Sequence, residues 1–137
     1  MRLDDVMSRG VLKVAPWATA ELAWQMMQLK NIHHLVVVDD GAVAGVISDR
    51  DLGGRRGPAV RAGRTVSDLM TTRVITAEPT TTIKRAAALM RGHAVGCLVV
   101  TDTRGKVAGI VTVADLLETI GRGTLKPAPV VRRRTMS

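Results

Sequence analysis

The sequence predicts an α+β fold made of two pseudo-symmetric β-α-β-β-α repeats packed sheet against sheet. Three observations predict it. The chain repeats itself: a shift of 63 aligns Met7 with Met70, Pro16 with Pro79, Thr19 with Thr82, Met27 with Met90 and Asp39 with Asp102. After one extra residue near Arg104-Gly105 the shift becomes 64, aligning Gly41 with Gly105, Gly45 with Gly109 and Asp51 with Asp115. Each copy also has the same plan of an extended segment, a helical pattern and two apolar runs joined by turn residues. Finally, both copies end in one motif, Gly45-Val46-Ile47-Ser48-Asp49-Arg50-Asp51-Leu52 and Gly109-Ile110-Val111-Thr112-Val113-Ala114-Asp115-Leu116. Internal repetition at such a period is an architectural signal in its own right.

The elements come in order. Val11–Val14 and Val74–Thr76 read as short extended segments, each ended near a proline. Thr19 and Thr82 read as N-caps of helices reaching about Lys30 and Arg91, since a side-chain oxygen there satisfies a free N–H of the first turn. Ile83, Ala86, Ala87 and Met90 fall at i, i+3, i+4 and i+7, with Ala20, Ala23, Trp24 and Met27 in the matching places, as one buried helix face requires. Leu35–Val38 turns through Asp39-Asp40-Gly41 into Val43–Ile47, and Leu98–Val100 turns through residues 102–105 into Val107–Val111. An Asp-Gly pair between apolar runs is a hairpin signal. A helix starting near Asp49 meets Gly53-Gly54 and must be short, whereas its partner from Val113 can run to Gly121. Neither unit buries its sheet alone, so the two pack together. The expected organisation is a first repeat with the start of a linker in residues 1–60, a second repeat in 61–121, and a basic, disordered tail in 122–137.

Composition bounds the function. The chain has 137 residues, enough to bury roughly two thirds of its unfolded surface. With two Trp and no Phe or Tyr, the core must be aliphatic. Cys97 is the only cysteine, so no intramolecular disulfide forms. No apolar run approaches a membrane span, and the start Met1-Arg2-Leu3-Asp4-Asp5 is acidic where a signal peptide is basic. The expectation is a soluble, cytoplasmic protein without membrane contact. The net charge of +8 is uneven: residues 53–64 carry Arg55, Arg56, Arg61 and Arg64, and residues 121–137 carry Arg122, Lys126, Arg132, Arg133 and Arg134, with no acid in either. These nine exceed the whole excess, so the body is close to neutral. A Gly/Pro-rich basic linker reads as solvated and mobile.

The repeated motif carries the functional lead. Ser48 or Thr112 closes a buried strand and caps the helical turn after it, and Asp51 or Asp115 lies in that first turn. A hydroxyl and a carboxylate at a helix mouth suit a sugar bearing a phosphate. The structural alternative is a first-turn acid favoured only by the helix dipole. The variable pair, Asp49-Arg50 against Val113-Ala114, makes the Ser48/Asp51 site the better phosphate binder, because Arg50 offers a planar fork of donors.

The doubled motif, with the hairpins Leu35-Val36-Val37-Val38-Asp39 and Leu98-Val99-Val100-Thr101-Asp102, resembles a tandem pair of CBS (cystathionine β-synthase) domains, a Bateman module, over about Leu3 to Ile120. The resemblance implies regulatory binding of adenosine-containing ligands (AMP, ADP or ATP, or S-adenosylmethionine or NAD) in clefts between the repeats, with no catalytic cofactor. It implies that Asp51 and Asp115 take ribose hydroxyls while Ser48 and Thr112 help place ribose and phosphate. Adenine then lies among Val14, Ala15, Ile32, His33 and His34, or among Thr76, Ala77, Val95, Gly96 and Cys97. It also implies a homodimer formed through helices and a regulated protein partner.

Other residues read more plainly. His33 and His34 are adjacent on an extended segment and cannot chelate one metal together; with His93 and one cysteine elsewhere, no zinc-type set exists. His34 fits an adenine pocket and fits a structural role equally. Cys97 reads as a small buried hydrophobe rather than a nucleophile. Trp24, opposite Ala87 in the repeat, either fills core space or marks a face between subunits. No nucleophile–base pair or phosphate-transfer loop is present, so no enzyme is expected. The rival function is a dimeric scaffold with degenerate clefts whose Arg-rich linker and tail bind an acidic protein or nucleic acid, although no aromatics are interleaved for base stacking.

Overall fold

The computed structural model describes residues 1–121, and the tail expected in 122–137 lies outside the described residues. The elements run α1 (Leu3–Val6), β1 (Lys13–Val14), α2 (Ala20–Lys30), β2 (His34–Asp39), β3 (Ala42–Ser48), a 3-10 turn (Gly54–Arg56), α3 (Pro58–Arg61), α4 (Val66–Leu69), β4 (Thr76–Ala77), α5 (Ile83–His93), β5 (Cys97–Thr101), β6 (Val107–Thr112) and α6 (Val113–Gly121). The expected caps form: Thr19 Oγ1 accepts from Leu22 N and Thr82 Oγ1 from Arg85 N, each at 3.1 Å. Both long helices end on a left-handed residue, Asn31 at φ 52° and Ala94 at φ 54°. Asp40 and Gly41, at φ 50° and 80°, make the two-residue turn of the first hairpin, as the Asp-Gly signal requires. In the second hairpin Asp102 Oδ1 accepts from Arg104 N at 2.8 Å and Lys106 N at 3.0 Å, which accommodates the inserted residue.

Two three-stranded sheets result, in order β1-β2-β3 and β4-β5-β6, each with a parallel first pair and an antiparallel second. The pleat sends alternate residues to opposite faces. Leu35, Val37 and Ile47 face the core under α2, and Leu98, Val100 and Val111 face the core under α5. Val36, Val46, Val99 and Ile110 point the other way and form the layer between the sheets. Both faces are buried, which is why the strands read as continuous apolar runs. The expected sheet-on-sheet architecture is observed.

The leading segments exchange repeats. Leu3 and Met7 belong to the core of the second repeat, and Val66, Leu69 and Met70 pack on that of the first. Ser8 bridges Ile110, and Thr71 bridges Val46, each by a reciprocal pair of backbone hydrogen bonds of 2.8–3.1 Å. This covers the free edges of β6 and β3. It also explains the motif glycines: a Cβ on Gly45 would stand 2.7 Å from Thr71 O, and one on Gly109 2.8 Å from Ser8 O.

Two expectations are corrected. The first motif opens no α-helix. Residues 49–53 turn, Gly53 and Gly54 take φ of 88° and 61°, and the next regular element is the 3-10 turn that Gly54 begins. Nor is the basic linker solvated throughout, for Pro58 starts α3 and Arg61 is 5% exposed. Arg61 Nη1 donates to Leu52 O and Gly54 O at 2.9 Å, its Nε donates to Glu21 at 3.0 Å, and its guanidinium stacks 4.3 Å from the Trp24 ring centre. Trp24 therefore fills space at the edge of the first core, beneath the linker.

Candidate functional site

Two neighbouring clefts open where the sheets meet. Cleft 1, of about 410 Å³, joins Ser48, Arg50 and Asp51 of the first repeat to residues 73–75 and 94–97 of the second. Cleft 2, of about 530 Å³, joins Thr112 and Asp115 of the second repeat to Val11, Leu12 and residues 31–34 of the first. Each site is thus composite, a motif from one repeat facing the helix-to-hairpin junction of the other. His34 and Gly96 line both clefts and form the wall between them. These volumes fall within the range of small-molecule sites.

In both clefts the motif closes on itself as a capping box. Ser48 N donates to Asp51 Oδ2 at 2.9 Å while Asp51 N donates to Ser48 Oγ at 3.1 Å; for Thr112 and Asp115 the distances are 2.8 and 3.2 Å. The box fixes the rotamers of all four residues. It leaves Asp51 Oδ1 and Asp115 Oδ1 without a hydrogen bond among the described residues, and it leaves the hydroxyl protons of Ser48 and Thr112 available to donate.

The surroundings differ. Around cleft 1 the turn uses its own amides: Asp49 N donates to His33 O, Leu52 N to Ser48 O, Gly53 N to Arg50 O and Gly54 N to Asp49 O. Positive charge comes instead from Arg50 and from Arg73, which enters from the second repeat. Cleft 2 lies at the start of α6 and contains no Lys or Arg among the described residues; Val113 and Ala114 stand there. His33 Nδ1 pairs with Asp49 Oδ2 at 2.9 Å. Burial lowers the pKa of His34 from 6.5, with His33 adding to the shift and Asp49, Asp51 and Asp115 opposing it. Burial likewise raises the Cys97 thiol, assisted by Asp51. Cys97 is half-buried on the wall of cleft 1, more open than expected.

The expected site residues divide. Ser48, Arg50, Asp51, Val95, Gly96 and Cys97 meet in cleft 1, and Ile32, His33, His34, Thr112 and Asp115 in cleft 2. Val14, Ala15, Thr76 and Ala77 line neither. Val14 is buried under α2, Ala77 packs on the second core, and Ala15 accepts from Ala18 N. The chain enters the clefts earlier, by three residues at Val11-Leu12 and by two at Val74-Ile75. Arg73 was missed; its repeat counterpart is Gly10, so the only sequence signal was a break in the symmetry. Among the described residues no group of three His, Cys, Asp or Glu is placed to hold a metal, and no helix is long and apolar enough to cross a membrane.

A family model of the CBS domain matches residues 3–52 and 66–122. The CBS domain-containing protein YhcV of Bacillus subtilis is 32% identical over 115 residues, covering 83% of this chain and 81% of that protein. A homoserine O-acetyltransferase of Methanohalophilus mahii is 29% identical over 125 residues, but the match, 90% of this chain, spans only 25% of that protein. Among solved structures, the CBS domain pair of protein MJ0100, in complex with 5′-methylthioadenosine and S-adenosyl-L-methionine, superposes with a TM-score of 0.79 at 25% identity, covering 90% of this chain and 98% of that one. CBSX2 of Arabidopsis thaliana in complex with AMP superposes at 0.73 with 26% identity, again covering 90% and 98%.

Proposed function

This chain belongs to the CBS domain family as a tandem pair of repeats, and from that premise we propose that it is a regulatory module that binds an adenosine phosphate in cleft 1. One observation carries the reading: Ser48 and Asp51 of one repeat face Arg73 of the other, with Arg50 beside them, across about 410 Å³. The free Oδ1 of Asp51 accepts from the ribose diol, and the hydroxyl of Ser48 with the two guanidinium groups takes the phosphate. The base lies against Val95, Gly96 and Cys97. The complexes of the two related structures, one with AMP and one with S-adenosyl-L-methionine and 5′-methylthioadenosine, support adenosine as the shared element.

Because both repeats line the cleft, an occupant that binds one relative packing better than another shifts the pair toward it. That shift is the signal passed across a homodimer or to a regulated protein in the cytoplasm. The rival scaffold reading loses part of its surface, since Arg61 is engaged within the fold.

The test is calorimetric titration with AMP, ADP, ATP, NAD and S-adenosylmethionine. AMP binding should weaken at least about tenfold in Asp51→Ala, the loss expected for one charge-assisted hydrogen bond. Asp115→Ala should leave cleft 1 unchanged. Equal affinity in wild type and Asp51→Ala would remove the ribose assignment.

A further inference from the structure

The geometry points to Arg61 as the positioning residue of cleft 1: it holds the turn that carries Arg50 and Asp51, so that nucleotide affinity there depends on the linker being docked against α2. This rests on the nucleotide reading of cleft 1.

The two motifs end differently. After Asp115 the chain continues as α6, whose own N–H groups satisfy the carbonyls of the turn. After Asp51 the helix fails at Gly53 and Gly54; Gly54 O accepts from Gly57 N at 3.1 Å and has one further site to fill, while Leu52 O has no backbone donor among the described residues. Arg61 supplies both from one guanidinium nitrogen, seven to nine residues downstream, and its backbone N–H closes the same loop on Gly57 O at 3.1 Å. The loop is tight: a Cβ on Gly57 would lie 2.6 Å from Gly53 Cα and 2.7 Å from Leu52 O. Nε of Arg61 fixes the loop to the body through Glu21 at the start of α2, over the face of Trp24. A shift of this clamp moves Leu52, and with it Asp51 and Arg50, which have no helix behind them. The second repeat has Lys84 where Glu21 stands and Ala87 where Trp24 stands, so cleft 2 has no such clamp.

The experiment compares the full chain with Arg61→Met and Glu21→Gln, at a temperature where circular dichroism shows each folded. Amide hydrogen exchange should quicken about tenfold or more at residues 49–54 in Arg61→Met while residues 112–116 keep their wild-type protection. AMP affinity, measured with Asp115→Ala in the background, should fall about tenfold in Arg61→Met. It should change little in Glu21→Gln, which still accepts from Nε. Faster exchange in both motifs alike would reduce Arg61 to a general stabiliser and overturn the proposal. So would loosened residues 49–54 with unchanged AMP affinity. If wild-type protein gives no heat with AMP, the nucleotide reading fails by itself, and the exchange pattern alone decides whether Arg61 positions the turn.

Discussion

At the places between hydroxyl and aspartate, cleft 1 has Asp49-Arg50 and cleft 2 has Val113-Ala114; on the opposite wall, cleft 1 has Arg73 where cleft 2 has Gly10. Their backbones are alike as far as the motif hydroxyl and diverge after it, into a turn in cleft 1 and into α6 in cleft 2. Both motifs close in the same capping box, both accept a leading segment from the other repeat, and both place a glycine under that segment. The features shared by the two repeats are therefore those that folding demands. Whatever distinguishes their chemistry lies in the residues that break the symmetry. Cleft 2 has the N-terminus of the nine-residue α6, worth about half a positive charge, but Asp115 stands in that first turn. Cleft 1 has two whole guanidinium charges and no helix.

The largest effects should fall on what the repeats share. In Gly45→Ala the new methyl group meets the backbone oxygen of Thr71, and in Gly109→Ala that of Ser8. Neither oxygen can rotate away, as each segment is held in its bridge by paired backbone hydrogen bonds. Each substitution should cost about 1–3 kcal/mol by urea denaturation. The two costs should match. A large cost at one glycine with none at the other would break the claim that the backbone frames are equivalent.

A smaller effect should track the charge difference. Arg73→Ala and Arg50→Ala should each weaken AMP by about tenfold while changing adenosine affinity little, because only the phosphate contact is removed. The AMP advantage should also shrink as salt is added. The converse sharpens the comparison: Ala114→Arg, in an Asp51→Ala background, should give cleft 2 a preference for AMP over adenosine. Calorimetry with both ligands reads all of these. Loss of adenosine together with AMP would mean that the arginines hold the cleft open rather than reading phosphate.

The division between shared and unshared residues also governs what the sequence made legible. Thr19, Thr82 and the apolar runs specify their elements through contacts within a few residues, and they occur twice, so each copy checks the other. The capping box is likewise a local pattern. Arg61 read as a solvated linker charge because its partners are two carbonyls and a carboxylate from a distant helix. Arg73 faces a motif in the opposite repeat, and the exchange of leading segments that brings it there has no local signature. Val14 and Thr76 were expected in the clefts, but the chain enters two to three residues earlier, at a register set by the pairing of Val14 with Val37 and of Thr76 with Val99.

The smallest expected effect tests the wall that both clefts share. His34 faces Asp49, Asp51, Asp115 and His33, and burial outweighs the carboxylates, so its pKa in the fold lies below 6.5. The unfolded chain therefore takes up this proton first as pH falls. By linkage, the contribution of His34 is fully present above about pH 6.5 and is lost as pH drops from there toward the lowered folded value, below which it is constant. Urea denaturation between about pH 8 and about pH 5 should show this decline in the wild type and less of it in His34→Gln. An identical pH profile in the variant would assign the decline to other groups and leave the wall uncharged and inert. A flattened profile would assign the decline to His34, and unchanged AMP affinity near pH 7 would establish that the neutral imidazole walls the two clefts without contributing to nucleotide affinity.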